Sequence, residues 1–439
     1  MLAVALLGGL KAVPQDSSHA DEDFKIWLDH PRLLLRPQRL RLLKRERERE
    51  SMRWSRFDAL VRGAGFPEPG FAFALYYAVT GDRAVGEKAL SWALAGSDLR
   101  QLALVYDWCQ AIMTDTQRQQ LASRIIRLMR QRTGDDISAA RDRTLAAVAV
   151  ADDSGSASEA TLAAIVRQWW RAGVAPRLAH GDLIIAHADL YPLDEMLHAI
   201  RDNLRIDLRA DVGDYFARLP LYELSSYYPA PFQEGSFEYY LPAFSGQGEP
   251  DLKRAAMARA AELSLVAYDA NDRQLQYVQG WLMQDRFMLA DPLGAPYEYL
   301  WGNPYQPGLS FMQLPVTCYD PLSGALFLRS SWDEDASWFG IVGSEMQLFE
   351  GGRVTVLSRR ASGVAAKPLI IGPAQVVLGR NRVSFAAAGE ATYVVGLPPN
   401  SPWLVEIDDE EMQQVRTDRA GSLALQFPKD IPLHALVHE

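Results

Sequence analysis

Histidine, tyrosine and carboxylate side chains cluster in the stretch GDLIIAHADLYPLDEMLHAIRDNLRIDLR, which runs from Gly181 to Arg209. On a helix, residues three or four positions apart share one face, and the histidines, the tyrosine and one aspartate have that spacing. Pro192 suits the first turn of a helix, and Asp189 is an acceptable N-cap. The stretch predicts His187 just before a helix and Tyr191 in its first turn, near the positive end of the helix dipole. Such a position suits proton transfer, and it equally suits the capped start of a structural helix.

Composition narrows the class of protein. The chain has 439 residues, of which 48% are hydrophobic and 23% charged, which is typical of a soluble globular protein with one very large domain or two to three ordinary ones. The formal net charge of −10 argues against a dedicated binder of nucleic acid or acidic membranes. A local arginine cluster could still bind a polyanionic substrate.

The two cysteines and the opening residues bear on the compartment. Cys109 and Cys318 fit neither a CxxC motif nor a zinc-ligand spacing. No apolar run approaches the roughly eighteen residues needed to span a bilayer. The opening MLAVALLGGLKAV resembles the apolar core of a secretory signal peptide, although the basic region before it is missing. We therefore expect a leader over residues 1–22, a secreted or periplasmic location and no integral membrane span.

Helical periodicity dominates the next part of the chain, which we assign to residues 23–312. An Arg/Glu-rich amphipathic helix is predicted from Leu40 to Leu60. The segment FAFALYYAVTGDRAVGEKALSWAL is a helix, a Thr-Gly-Asp turn and a second helix, and LRQLALVYDWCQAIMTDTQRQQLASRIIRLMRQR repeats this design with Thr114 as a cap. RTLAAVAVADDSGSASEATLAAIVRQWW forms a third pair. Repeated antiparallel helix pairs predict an α/α toroid or a helical solenoid.

Short β-branched and aromatic runs take over in residues 313–439. They are GALFLRSS, ASWFGIV, GRVTVL, AQVVLG, NRVSFA, ATYVVG, WLVEI and GSLALQF. Gly, Asn and Pro turns separate them, which predicts an antiparallel β-sandwich. Its last part, from TYVVG to LALQF, is predicted to be a small accessory β-module. A helical domain followed by strands gives an α+β class with two domains.

Two segments are rich in aromatic residues. Tyr215–Tyr240 holds nine aromatics in 26 residues, and YEYLWGNPYQPGLSF is similar. Because Pro and Gly interrupt them, we predict loops, whose rings either stack on sugars or plug the helical domain against the β-domain. The residues predicted to contact substrate are Tyr227, Tyr228, Glu234, Tyr239, Tyr240, Trp301 and Tyr305.

Several segments together resemble the heparinase II/III-like polysaccharide lyases. HPRLLLRPQRLRLLKR is similar to the N-terminal signature of that family, and YYAVTGDRAVGEKALSWAL and LALVYDWCQAIMTDTQRQQLASRI are similar to its toroid helices. LFLRSSWDEDASWFGIV resembles the first strands of its β-domain. The likeness covers roughly residues 30–345. It implies an α/α toroid, an antiparallel β-sandwich and β-elimination of uronic-acid polysaccharides.

That reaction needs a base, an acid and a group that neutralises the uronate carboxylate. In the family, a tyrosine after an acidic-glycine segment at the head of a toroid helix serves as acid or base. The best match here is Tyr191, although Ala188-Asp189 replaces the Glu-Gly before it. The resemblance implies proton transfer by Tyr191, with His187 or His180 beside it. Tyr239, which follows a Glu-Gly pair, is the reserve candidate.

The chain departs from the family elsewhere. Where the family carries Asn with a nearby His, this sequence reads ARDRT, and Arg141 or Arg143 could grip a carboxylate or form a surface arginine pair. No histidine lies between His198 and His434. We therefore expect neither the family's type of zinc site nor another metal or cofactor. Glu195 with His198 has a metal-binding spacing but lacks further ligands.

Three functions remain open from the sequence. The first is a polysaccharide lyase-like protein that cleaves or handles a uronate-containing polysaccharide by β-elimination. The second is a non-catalytic glycan-binding or exopolysaccharide-assembly protein on the same scaffold. The third is a toroid glycoside hydrolase, with an acid/base pair drawn from Glu234, Glu238 and Asp285.

Overall fold

The structure is a computed structural model, which describes residues 22–63, 65–244, 248–284, 287–289, 291–358, 368–387, 391–408, 411–427 and 433–438. The predicted leader, apart from Glu22, and Asp285 lie outside the described residues. The α-helices are α1 (Pro37–Glu48), α2 (Met52–Gly63), α3 (Pro69–Thr80), α4 (Arg83–Ala95), α5 (Leu99–Trp108), α6 (Asp115–Gln131), α7 (Ile137–Ala149), α8 (Ser156–Ala163), α9 (Ala175–Ala179), α10 (His187–Leu204), α11 (Tyr215–Ser226), α12 (Leu252–Tyr268), α13 (Arg273–Leu282) and α14 (Gly294–Trp301). A π-helix spans Ala164–Val174.

A two-stranded hairpin follows α11, and the other strands follow the last helix. The strands are β1 (Phe232–Glu234), β2 (Phe237–Tyr239), β3 (Thr317–Asp320), β4 (Ala325–Arg329), β5 (Trp338–Val342), β6 (Glu345–Glu350), β7 (Arg353–Leu357), β8 (Leu369–Ile371), β9 (Ala374–Leu378), β10 (Arg382–Ala387), β11 (Ala391–Val395), β12 (Pro402–Ile407), β13 (Glu411–Arg416), β14 (Ser422–Gln426) and β15 (Leu433–His438). Helices followed by mainly antiparallel sheets confirm the predicted α+β class.

Local capping chemistry sets the helix ends. Gly81 adopts φ 73° after α3, and the Asp82 side chain accepts hydrogen bonds from the first amides of α4. Thr114 and Gln117 form a capping box at the start of α6. These contacts confirm the predicted helix–turn–helix pairs and the Thr114 cap.

Three local predictions differ from the structure. The single helix from Leu40 to Leu60 is wrong, because the chain turns between α1 and α2, where Glu50 has φ 48°. His187 is the first residue of α10 and Ala186 its N-cap, so the predicted Asp189 cap is wrong, and Tyr191 and Pro192 lie beyond the first turn. The aromatic segments predicted as loops contain α11 and the end of α14, since buried apolar faces hold them helical, in α11 despite Pro220.

Six helices pack in succession: α3, α5, α7, α10, α12 and α14, with α14 returning to α2 and α3. Hydrogen bonds to Arg32 show that the carboxyl ends of α5, α7 and α10 lie side by side. At one end Arg32 donates to the Val148 carbonyl at the end of α7, and Asn203 of α10 donates to the Arg32 carbonyl. Asp107 of α5 accepts from the Arg32 amide there. The carboxyl ends of α5, α7 and α10 therefore meet at Arg32, and the amino ends of these three helices face the opposite side.

The strands after residue 316 form three sheets, with orders β3-β4-β5-β6-β7, β14-β11-β9-β8 and β10-β15-β12-β13. All neighbours are antiparallel except β9 and β11, which pair in parallel because β10 between them belongs to another sheet. This crossover was not visible in the sequence, where the strands follow one another at short intervals.

The sheets are stacked, and the first lies against the helices. Phe327, Trp338 and Phe349 share a core with the helical residues. The other face of the first sheet, with Leu326 and Leu328, packs on the middle sheet. The opposite face of the middle sheet packs on the last sheet. A sheet covered on both faces needs apolar residues at successive positions, which explains the apolar runs at residues 376–378 and 393–395.

Candidate functional site

A buried carboxylate lies inside the ring of helices. Glu195 is fully buried, and Arg100 donates to it from Nε at 2.8 Å and from Nη2 at 2.7 Å. Arg141 Nη1 donates at 2.7 Å to Glu195 Oε2, the oxygen that Arg100 Nε also contacts. Burial by itself would raise the pKa of Glu195, but the two arginines outweigh it and lower the pKa to about 2. The group is therefore ionised and structurally satisfied.

Tyr191 belongs to this network. Its side chain is 1% exposed, its hydroxyl donates to Glu195 Oε1 at 2.7 Å, and Trp301 Nε1 donates to that hydroxyl at 3.1 Å. Burial and the Glu195 carboxylate raise the pKa of Tyr191 well above its usual value. A polymer does not reach the hydroxyl in this conformation, and the phenolate is disfavoured. The catalytic role of Tyr191 stays a prediction, while its contacts are those of a structural tyrosine.

The two histidines expected beside Tyr191 differ in setting. His187 is partly exposed, with Nδ1 3.0 Å from Glu223 Oε2 and Nε2 3.3 Å from Ser226 Oγ. Ser226 is fully buried, and its hydroxyl donates to the Glu223 carbonyl. His180 is exposed, with Nδ1 2.6 Å from the Pro176 carbonyl. Sequence reasoning missed Glu223 and Ser226, because they lie on α11 and carry no motif.

A cavity of about 870 Å³ lies between the end of α6, the start of α7 and the π-helix. We call it the arginine cleft. Its charged lining residues are Arg130, Arg132, Arg143, Arg177 and one carboxylate, Asp135. In a chain with a net charge of −10, a cavity with four guanidinium groups against one carboxylate is a local reversal of charge.

The four arginines of the cleft differ in how far the protein itself occupies their N–H groups. Arg143 donates to the Gly134 carbonyl at 3.2 Å, and Arg132 pairs with Asp142 at 3.3 Å. Arg130 and Arg177 are exposed, and neither has an ion-pair partner among the described residues. Guanidinium groups left in this state can take up the carboxylates of a ligand.

The wall of the cleft is a π-helix, an uncommon backbone conformation that often occurs at functional sites. It presents Trp169, which is half-buried and donates from Nε1 to the Asp135 carbonyl at 2.7 Å. An indole ring beside arginines can stack on the apolar face of a sugar. The sequence showed only a helical pair here, so neither the π-helix nor Trp169 was predicted as part of a site.

Arg141 and Arg143, proposed as uronate ligands, lie in adjacent cavities. Arg143 lines the arginine cleft, and Arg141 lines a smaller cavity of about 340 Å³, with Arg132 common to both. Arg141 is already engaged by Glu195 and by Asp142, each at 2.7 Å. Arg143 is therefore the better placed of the two for a ligand in the cleft.

The aromatic residues predicted to contact substrate do not line the arginine cleft. Tyr227, Tyr228, Tyr239 and Trp301 are buried. The Tyr228 ring stacks on Phe349 of the first sheet at 5.7 Å, and its hydroxyl donates to Gln347. Tyr228 therefore joins the helices to the sheet, as the plug interpretation predicts. Tyr240 is partly exposed, Glu234 is exposed and Tyr305 is 50% exposed.

The other pairs considered from sequence are separated. Glu195 faces Arg100, whereas His198 Nε2 lies 2.9 Å from the Ser264 carbonyl, so the two do not share a metal-binding position. Glu234 and Glu238 lie on the exposed β1–β2 hairpin. Within the described ranges, no three His, Cys, Asp or Glu side chains converge as a metal site. No helix in those ranges is long and apolar enough to cross a bilayer.

No known protein family matches the chain, and neither does any curated protein. What the site can do follows from its own residues and their geometry.

Proposed function

We propose that this protein binds an acidic, uronate-containing polysaccharide in the arginine cleft. The observation that carries the proposal is the convergence of four arginines against one aspartate in a single cavity of about 870 Å³. Arginine suits this ligand because its planar guanidinium is permanently charged and grips carboxylates through two parallel hydrogen bonds. Trp169 adds an apolar surface for a sugar ring.

The scaffold we propose is an α/α toroid followed by a β-sandwich. The succession of contacts from α3 through α5, α7, α10 and α12 to α14, and the return of α14 to α3, support a closed ring. The packing of the first and middle sheets around a common apolar core supports the sandwich. A secreted or periplasmic location, which the apolar opening of the chain predicts, would give access to such a polymer.

Cleavage by β-elimination is the second candidate function, and His187 is the observation that favours it. Its imidazole is partly exposed and lies 3.0 Å from Glu223, a carboxylate that would orient a histidine base. Tyr191 is less suited to the role of base, because it is buried and its pKa is raised well above its usual value.

Binding is tested with a panel of uronic-acid polymers and a neutral polysaccharide, at low and high salt. The double variant Arg130→Gln/Arg177→Gln should weaken binding of the acidic polymers, since two unpaired charges are lost, and added salt should weaken binding of the natural chain. Arg127→Gln is the matched control, because Arg127 is an exposed arginine of α6 outside the cleft. Equal binding by the double variant and the control would refute the proposed site.

Elimination is tested by the ultraviolet absorbance of an unsaturated uronate during incubation with the same polymers. If the second candidate holds, absorbance rises, and His187→Gln abolishes the rise while binding remains. New reducing ends without absorbance would indicate hydrolysis instead. Binding with neither product supports a glycan-binding protein and eliminates both cleavage reactions.

A further inference from the structure

A second cationic cavity lies at the other end of the helix ring, where α1 meets the carboxyl ends of α10, α12 and α14. It holds about 340 Å³, and we call it the carboxyl-end pocket. The lining residues that bear on its chemistry are Arg36, Arg39, His198, Arg201, Asp202 and Trp301. None of them lines the arginine cleft.

The charges in this pocket do not balance. Three guanidinium groups, those of Arg36, Arg39 and Arg201, face one carboxylate, that of Asp202. His198 adds no charge at neutral pH, because burial lowers its pKa to about 3. A partly buried site with this excess of positive charge is costly unless an anion enters it.

Two of the arginines keep donors for a ligand. Among the described residues, Arg36 donates only to Asp202, at 3.0 Å, and Arg39 donates only to the Trp301 carbonyl, at 2.9 Å. A guanidinium carries five N–H groups, so most of those on both side chains are unused. Arg201 is largely committed, since it donates to the Tyr268 carbonyl at 2.6 Å and stacks on that ring.

Helix capping accounts for only part of this arrangement. Arg39 satisfies the last carbonyl of α14, and Arg201 satisfies the last carbonyl of α12. Capping uses one donor of each side chain and needs no cavity. It explains neither Arg36, whose side chain is 57% exposed at the rim, nor the cavity that the half-buried Arg39 lines. Burial, followed by repulsion from Arg53, lowers the pKa of Arg39 to about 10.

We propose that the carboxyl-end pocket binds a small molecule through a phosphate or carboxylate group, held between the guanidinium groups of Arg36 and Arg39. The volume of about 340 Å³ is near the lower end of the range for small-molecule sites. Trp301 closes the inner wall, since it is 3% exposed and lies under Arg39. This site is separate from the polysaccharide cleft and does not depend on it.

The test is calorimetric titration of the full chain with inorganic phosphate, citrate and glucuronate, at constant ionic strength set with chloride. Binding of phosphate alone identifies a ligand that carries a phosphate group. Binding of citrate or glucuronate without binding of phosphate identifies a ligand that carries a carboxylate group. A hydrogen bond to a charged group is worth roughly 1.5–3 kcal/mol, so Arg36→Gln should weaken binding about 10- to 100-fold. Arg39→Gln should do the same. Arg41→Gln, an exposed arginine of α1 outside the pocket, is the matched control.

Two results would overturn the proposal. One is the absence of binding for all three anions, and the other is binding that Arg36→Gln leaves unchanged. Arg36 is mostly exposed, so this variant tests the site even if Arg39→Gln does not fold. The variant Arg130→Gln/Arg177→Gln separates the two sites. It should keep small-anion binding, and loss of that binding would place the anion in the arginine cleft instead.

Discussion

At the scale of single residues, the helix ring is organised around charges that burial makes costly. Glu195 stays ionised because Arg100 and Arg141 surround it, and removing one partner of such a buried group typically costs about 3–5 kcal/mol. Tyr191 contributes a hydroxyl to the same centre. Its position fits the helical spacing noted in the sequence, but its environment is closed.

Tyr191→Phe distinguishes a structural tyrosine from a catalytic one. The variant loses a buried hydroxyl that donates to Glu195 and accepts from Trp301. We expect the free energy of unfolding to fall by about 1–3 kcal/mol, as measured by denaturant unfolding, with unchanged polysaccharide binding. Normal stability with a loss of cleavage of about 10²-fold or more would instead establish the catalytic role.

The buried carboxyl group of Asp194 should make the stability of the fold decrease as the pH rises. Burial is the largest cause that raises its pKa to about 8, and Ser264 and Arg209 only partly oppose it. The folded chain then keeps a proton that the unfolded chain has released, so stability is lost as the pH rises from about 4 to about 8. Asp194→Asn should remove this loss, which is on the order of 1 kcal/mol per pH unit.

The measurement is the difference in unfolding free energy between the natural chain and Asp194→Asn at several pH values. This difference should increase steadily toward pH 8, because the natural chain loses stability and the variant does not. Gln233→Asn, which changes an exposed and uncharged side chain of the β1–β2 hairpin, should give a constant difference. A flat profile for Asp194→Asn would show that Asp194 is ionised in the folded chain throughout this range.

At the scale of elements, the π-helix decides what the arginine cleft presents. Its wide backbone places Trp169 toward the cleft and Trp170 in the core, where Trp170 is fully buried and donates to the Leu208 carbonyl. Adjacent tryptophans therefore have different roles. One is part of the proposed binding surface, and the other fixes the element that carries it.

Trp169→Ala should weaken binding of an acidic polysaccharide with little change in stability, since only a half-buried ring is removed. Stacking of an indole ring on a sugar depends on its aromatic face, and phenylalanine keeps a smaller face of this type. Trp169→Phe should therefore retain part of the affinity for the polysaccharide. Trp27→Ala, which removes a tryptophan 71% exposed outside the cleft, is the control. Binding by Trp169→Ala at the level of the control would remove Trp169 from the site.

At the scale of the whole molecule, the helices and the first sheet share one apolar core. Trp338 of β5 is fully buried, and its Nε1 donates to the Ser225 carbonyl at the end of α11 at 2.8 Å. Tyr228 makes a second polar contact across the same junction. Because the core crosses the junction, we expect helices and first sheet to unfold together rather than as separate units.

Trp338→Phe tests this coupling. It removes the hydrogen bond to Ser225 and part of a buried ring, so the unfolding free energy should fall by about 1–3 kcal/mol. The helical circular dichroism signal should melt earlier although the substitution lies in a strand. An unchanged helical melting temperature would mean that the two parts unfold independently.

The sequence by itself determined the local elements. The Asp82 and Thr114 caps and the αL residue Gly81 depend on neighbours within a few positions, so the helix pairs were predictable, as were most strands from their apolar runs. The break between α1 and α2 was missed because the Arg/Glu-rich pattern continues through the turn at Glu50, and the start of α10 was missed because no side chain caps it.

Only the tertiary structure decided which side chains meet. Arg130 and Arg177 lie 47 positions apart and reach one cleft because α6, α7 and the π-helix pack together. Tyr191 satisfied the spacing expected of a catalytic residue, yet the packing of α14 against the ring buries its hydroxyl. Helical period and capping act over a few residues, whereas burial and convergence arise from contacts between distant segments, which a single sequence does not encode in any local pattern.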